Sequence, residues 1–173
     1  MKYYSDFVKF TNFLIHNKID FKYYFFKFNK MSGQTYEIYT DGSCLGNKGN
    51  DPGGWAFIYI EGDKEFHISG GEKFTTNNKM ELTAVIEALE FCPKNDLTIY
   101  SDSQYVIKGI TEWIKNWKKK GWGTIKNREY WERLDKLCQG KNINWKWVKA
   151  HNGDIYNEMV DKLARKEAEM FRN

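Results

Sequence analysis

Tyr39-Thr40-Asp41-Gly42-Ser43 and, later in the chain, Tyr100-Ser101-Asp102-Ser103-Gln104 share one signature, and it sets the architecture. From Thr35 to Asp41 the residues alternate, Tyr36, Ile38 and Thr40 against Glu37, Tyr39 and Asp41, and the pattern breaks at Gly42. Such alternation predicts a half-buried strand that closes on an acid. Leu97–Ser101 predicts a second strand closing on an acid, Asp102, and it runs into a helix carrying Val106, Ile107, Ile110 and Ile114. Strands joined by helical crossovers lie parallel. Asp41 and Asp102 are therefore placed side by side at a carboxyl edge, where open α/β sheets keep their ligands.

The remaining elements fall around this pair. Trp55–Ile60 and Phe66–Ser69 flank Glu61-Gly62-Asp63-Lys64 and predict an antiparallel hairpin, after a glycine-rich loop from Gly42 to Gly54. Thr76-Asn77-Asn78 then caps a helix whose apolar positions Leu82, Val85, Ile86 and Leu89 share one face, with Glu81 in its first turn. Asn142–Lys149, with Ile143, Trp145 and Trp147 alternating, predicts a third acid-side strand leading to His151. A last amphipathic helix, about 157–171, carries Val160, Leu163, Ala164 and Ala168. The order β-β-β-α-β-α-β-α predicts an α/β fold with a mixed five-stranded sheet and flanking helices.

Composition narrows the classes. At 41% hydrophobic and 29% charged, and with no uninterrupted apolar run of membrane length, the 173 residues do not read as a membrane bundle. Cys44, Cys92 and Cys138 are dispersed and odd in number, which suits a reducing, cytoplasmic setting and offers neither a disulfide framework nor a zinc site. The net charge of +4 resides in residues 1–30, where six lysines face Asp6 and Asp20; the rest of the chain is neutral. That segment is crowded with Tyr and Phe, lacks Gly, Pro, Arg and Trp, and ends near Met31-Ser32-Gly33. It suits neither a secretory signal nor a transit peptide. It reads as an N-terminal extension (1–33) ahead of the main domain (34–173), or as an upstream stretch with Met31 as the working start. A nucleic-acid-binding segment and a membrane-surface anchor are its rival readings.

Singly, each acid has an ordinary explanation: Asp102 as a helix N-cap, Glu81 as a partner of a helix dipole, Asp161 as solvated surface. Jointly, Asp41 and Asp102 at the strand ends with Glu81 on the helix would form a dense negative cluster, and like charges so close require a cation or a proton between them. All-oxygen donors suit Mg²⁺ or Mn²⁺. Between Lys108 and Arg128, seven basic residues stand against Glu112, with Trp113, Trp117 and Trp122 interleaved. In an otherwise neutral body that is the footprint of phosphate binding.

Tyr39-Thr40-Asp41-Gly42-Ser43-Cys44-Leu45-Gly46-Asn47, Thr76-Asn77-Asn78-Lys79-Met80-Glu81-Leu82, Tyr100-Ser101-Asp102-Ser103-Gln104-Tyr105-Val106, Trp147-Val148-Lys149-Ala150-His151 and Asn157-Glu158-Met159-Val160-Asp161 resemble, in this order, motifs of the bacterial-type ribonuclease HI family. The resemblance spans residues 35–170 and implies the ribonuclease H fold. It implies endonucleolytic hydrolysis of the RNA strand of an RNA–DNA hybrid, giving 3′-hydroxyl and 5′-phosphate ends. It further implies two divalent ions, Mg²⁺ or Mn²⁺, held by Asp41, Glu81, Asp102 and Asp161. Asp41 would be shared between them, Asp102 and Asp161 would complete one position, and Glu81 the other. His151 is implied in proton transfer or product departure. Asn47, Thr76, Asn77 and Gln104 are implied as hybrid contacts. Trp113, Lys118, Lys119, Lys120 and Trp122 are implied as a basic protrusion on the DNA strand. The expected protein is a monomer with no obligate protein partner and no membrane association. The sequence departs from the family in a longer loop, Gly46–Gly54, without a proline after Asn47, and in a shorter connection after Trp122. A non-catalytic hybrid-binding module of the same fold is the main alternative, and a junction resolvase or integrase-like nuclease the next.

Overall fold

The computed structural model describes residues 36–46, 48 and 51–172. Residues 1–33 and Asn47 lie outside them, so the N-terminal extension and the Asn47 contact stay at the level of sequence. The described strands are β1 (Tyr36–Cys44), β2 (Asp51–Glu61), β3 (Lys64–Thr75), β4 (Asp96–Ser101) and β5 (Asn142–Trp147), in sheet order β3-β2-β1-β4-β5. β1–β2 and β2–β3 are antiparallel, whereas β1–β4 and β4–β5 are parallel. The helices are α1 (Asn77–Phe91), α2 (Gln104–Lys108), α3 (Ile114–Lys119), α4 (Arg128–Cys138) and α5 (Ile155–Met170), with a π-helical turn, Gly109–Trp113, between α2 and α3. The expected mixed sheet is present.

Three details differ from the expectation. β1 does not end at Asp41 but continues to Cys44, because its outer residues stay paired with β2, Asp41 opposite Ala56 and Cys44 opposite Gly53. The parallel ladder to β4 does stop there, at Thr40 opposite Ser101. Second, α1 begins at Asn77, so Glu81 lies past the first turn, which holds no acid. Third, α4 was not foreseen. Only Trp131 and Leu134 of it are fully buried, and it starts from Asn127 in the left-handed region (φ 58) without a side-chain cap. The helix is polar overall and its start carries no cap signal, so it does not stand out in the sequence.

Alternate strand residues face opposite sides of a sheet, and the two sides hold different helices. Tyr39, Ala56 and Ile58 pack with Val160 and Ala164 of α5. On the other side Phe57 and Tyr59 meet Phe91 of α1, at ring-centroid distances of 5.5 and 5.9 Å. α1 buries Leu82, Val85, Ile86 and Leu89 almost completely, each contributing about 1.5–3 kcal/mol by area. α4 is tied to α1 by Arg133, which reaches Glu87 and Glu90. Around the π-turn, buried Trp131 contacts Tyr105 and Trp117, and Trp117 contacts Trp113. A Cβ at Gly109 would fall 2.0 Å from the Trp131 ring, so only glycine lets the indole seat there.

Candidate active site

The end of the parallel ladder fixes the site. Asp41 and Asp102 are the residues immediately after the last β1–β4 pair, Thr40 and Ser101, so two neighbouring strands deliver one carboxylate each to the same edge. α1 supplies a third. Thr76 caps the helix, its hydroxyl accepting from the Lys79 N–H at 3.4 Å. The next turn presses Glu81 against Gly42 of β1: a Cβ on Gly42 would lie 2.1 Å from the Glu81 nitrogen. The Gly42 N–H donates to Glu81 Oε2 at 3.2 Å, and the Asn77 amide donates to Oε1 at 3.3 Å.

Oxygens of Asp41, Glu81 and Asp102 lie within 4.8 Å of one another. Asp41 and Glu81 are each only 6% exposed, so their charges have lost most of their water. Burial, foremost, holds both carboxyls well above the usual carboxylate range. The charges of Asp102 and Asp161 push Asp41 further, and those of Asp41 and Asp102 push Glu81, while the Gly42 N–H opposes both shifts. A bound cation reverses this balance. Three convergent hard oxygens, with no nitrogen or sulfur donor in the group, fit Mg²⁺ or Mn²⁺. The competing explanations for the single acids recede: Ser103, not Asp102, caps α2, its hydroxyl accepting from the Val106 N–H at 3.4 Å.

Asp102 is held differently from its neighbours. It is only half-buried. Its backbone carbonyl accepts from the Trp147 indole N–H at 3.0 Å, and its Oδ2 accepts from the Asn157 amide at 3.0 Å. Asp161, on α5, is half-buried and acts on Asp41 through its charge, but its carboxylate is not among the three that converge. His151 is exposed, in the left-handed region at φ 51, within the loop from β5 to α5. That loop ends at Asp154, whose carboxylate caps α5 by accepting from the Tyr156 and Asn157 N–H groups, both at 3.1 Å.

The remaining candidates distribute around this edge. Thr76 and Asn77 sit at the start of α1, Asn77 in direct contact with Glu81. Gln104 is exposed at the start of α2 and lines a shallow groove with Ile107, Lys108, Glu112 and Trp147. On the protrusion Trp113 is 36% exposed, and Lys119 and Lys120 are exposed. Lys118 is paired with Asp135 at 2.7 Å, and Trp122 is half-buried, its N–H donating to the Trp117 carbonyl. Sequence reasoning assigned no role to Asn157 or Trp147; their reach to Asp102 depends on tertiary placement that local pattern does not carry.

Comparison with known proteins accords with this geometry. The profile of the RNase H family matches residues 33–169. A Ribonuclease H of Neorickettsia sennetsu is 53% identical over 148 residues, covering 81% of this chain and 97% of its own. One from Polaromonas naphthalenivorans is 54% identical over 140 residues, covering 76% and 86%. Among solved structures, LC9-RNase H1, described as a type 1 RNase H with the type 2 active-site motif, superposes with a TM-score of 0.74 at 28% identity, over 84% of this chain and 76% of that one. The archaeal RNase H1 of Halobacterium salinarum shares the fold, with a TM-score of 0.60 over 79% and 98% at 22% identity. By sequence and by fold, the chain is an enzyme that belongs to the ribonuclease H family.

Proposed function

We propose that this chain is an endonuclease that hydrolyses the RNA strand of RNA–DNA hybrids with two divalent ions, leaving 3′-hydroxyl and 5′-phosphate ends. The observation that carries the reading is the convergence of Asp41, Glu81 and Asp102 within 4.8 Å, two of them almost wholly removed from water. A pure hybrid-binding module has no use for a repulsive carboxylate cluster facing phosphates, so that alternative explains less. Asp41 would serve both ions, Asp102 and Asp161 would help hold one, and Glu81 the other. When bound there, Mg²⁺ or Mn²⁺ would supply Lewis acidity toward the attacking water and the leaving 3′-oxygen.

The chain's own side chains do the rest. Gly42 and Asn77 fix Glu81 through hydrogen bonds to both of its oxygens. His151, exposed beside the sheet edge, exchanges a proton or eases product departure. The Thr76 hydroxyl already accepts from Lys79, which leaves its proton for a phosphate oxygen of the DNA strand. Asn47, Asn77 and Gln104 read the hybrid near the scissile bond, where the 2′-hydroxyl separates RNA from DNA. Trp113, Lys118, Lys119, Lys120 and Trp122 grip the DNA strand. Residues 34–173 are the catalytic unit and 1–33 an appendage. The enzyme works as a monomer in the cytoplasm, without a membrane or an obligate protein partner. The free thiols of Cys44, Cys92 and Cys138 agree with that compartment, and no helix among the described residues is long and apolar enough to span a bilayer.

An end-labelled cleavage assay on hybrid, double-stranded RNA and double-stranded DNA, with Mg²⁺ and with chelator, tests this reading. Metal-dependent cutting of only the RNA in the hybrid is expected. Binding without cutting under Mg²⁺ and Mn²⁺ would overturn it in favour of the binding module.

A further inference from the structure

Asp102 is the carboxylate of the cluster least fixed by burial. Asp41 and Glu81 are 6% exposed and share the Gly42 N–H, whereas Asp102 is half-buried on the short link between β4 and α2. Its Oδ2 accepts a hydrogen bond from Asn157 Nδ2 at 3.0 Å. Asn157 is 2% exposed, and its own Oδ1 is buried without a hydrogen-bond partner. An apolar side chain of the same shape would remove the cost of that orphaned acceptor, and the carboxylate oxygen it leaves behind, on half-buried Asp102, can turn to solvent. Fold stability therefore does not account for an amide at this position. What the amide does provide is a donor aimed at one carboxylate oxygen. The donor is itself anchored, because Asp154 clamps the Asn157 backbone N–H at the start of α5.

We infer that Asn157 is a positioning residue for Asp102: it occupies Oδ2 and turns the other oxygen toward the cluster, so that α5 sets the affinity of the site for a divalent cation. This rests on the metal-site reading above. Partners of this kind, which hold a ligating side chain in place, commonly change metal affinity by about 10–100-fold when removed.

The test is calorimetric titration of the full chain with Mn²⁺, alongside melting of the metal-free protein. Asn157→Leu is expected to weaken Mn²⁺ binding about tenfold or more while the metal-free melting temperature holds or rises. The Mg²⁺ concentration for half-maximal cleavage should rise by the same factor. Asn157→Ala provides a second variant, expected to weaken Mn²⁺ binding likewise whatever its effect on stability. A drop in melting temperature with Mn²⁺ affinity unchanged in both variants would show a packing role and overturn the inference. If the unaltered chain takes up no Mn²⁺, the metal-site reading fails and this inference with it. If it does, and Asp102→Asn weakens uptake while the Asn157 variants do not, the tether alone fails.

Discussion

At Asp41 two demands meet, because the side chain sits in the core and yet belongs to a cluster of like charge. Asp41→Asn keeps shape and the nearby Gly42 N–H while removing the charge. Several kcal/mol of charge stabilisation correspond to a rate loss of about a thousandfold or more, so cleavage of the hybrid should vanish while a mobility-shift assay still detects binding. Retained cleavage would remove Asp41 from the metal site. Gly42 makes the complementary case in the backbone. Its Cβ would meet the main chain of Glu81, which cannot swing aside as a side chain would. Gly42→Ala should cost at least about 2 kcal/mol in chemical denaturation and should weaken Mn²⁺ uptake by displacing Glu81. Asp41 and Asp102 are legible in the sequence because a strand pattern runs into each, and Glu81 because it follows the capped start of a helix. The glycine's reason is not, since it depends on how closely α1 approaches β1.

Among the elements, the protrusion from α2 to α4 shows where sequence reading succeeds and where it fails. The run of lysines and tryptophans is visible as composition, but the packing sorts it into different jobs. Trp117 turns inward onto Trp131, Trp113 keeps an exposed edge, and Lys118 is engaged by Asp135 of α4. The helix that provides both Trp131 and Asp135 is the one whose start signal was too weak to read. In the proposed complex, phosphate contact falls mainly to Lys119 and Lys120. Neutralising each phosphate contact contributes about one unit to the slope of log affinity against log salt. Lys119→Ala with Lys120→Ala should reduce that slope by about two, and adding Lys118→Ala should change it further by less than one. Fluorescence anisotropy of a labelled hybrid across salt concentrations measures this, and an unchanged slope would reduce the run to solvated surface.

The whole molecule carries the strain of the site as a pH dependence of its stability. In the metal-free fold Asp41 and Glu81 hold their protons well above the usual carboxylate range, chiefly through burial, then through the charges of Asp102 and Asp161 on Asp41 and of Asp41 and Asp102 on Glu81. A carboxyl whose pKa is raised on folding stabilises the protein fully below its unfolded value of about 4. That contribution is lost as pH rises through the folded value. The folded state then binds more protons than the unfolded one, and stability falls by about 1.4 kcal/mol per pH unit for each proton so retained. Divalent ions act in the opposite direction, since they bind the ionised cluster and only in the folded state. The melting temperature of the metal-free chain, taken relative to that of Asp41→Asn, should therefore decline as pH is raised from about 5 to about 8. Saturating Mg²⁺ should recover most at the upper end of that range and least at the lower. Parallel melting curves of the two proteins across pH, each with Mg²⁺ and with chelator, decide the matter. If their metal-free difference does not vary with pH, or Mg²⁺ stabilises equally at every pH, the buried carboxylates are not the groups that the ion relieves.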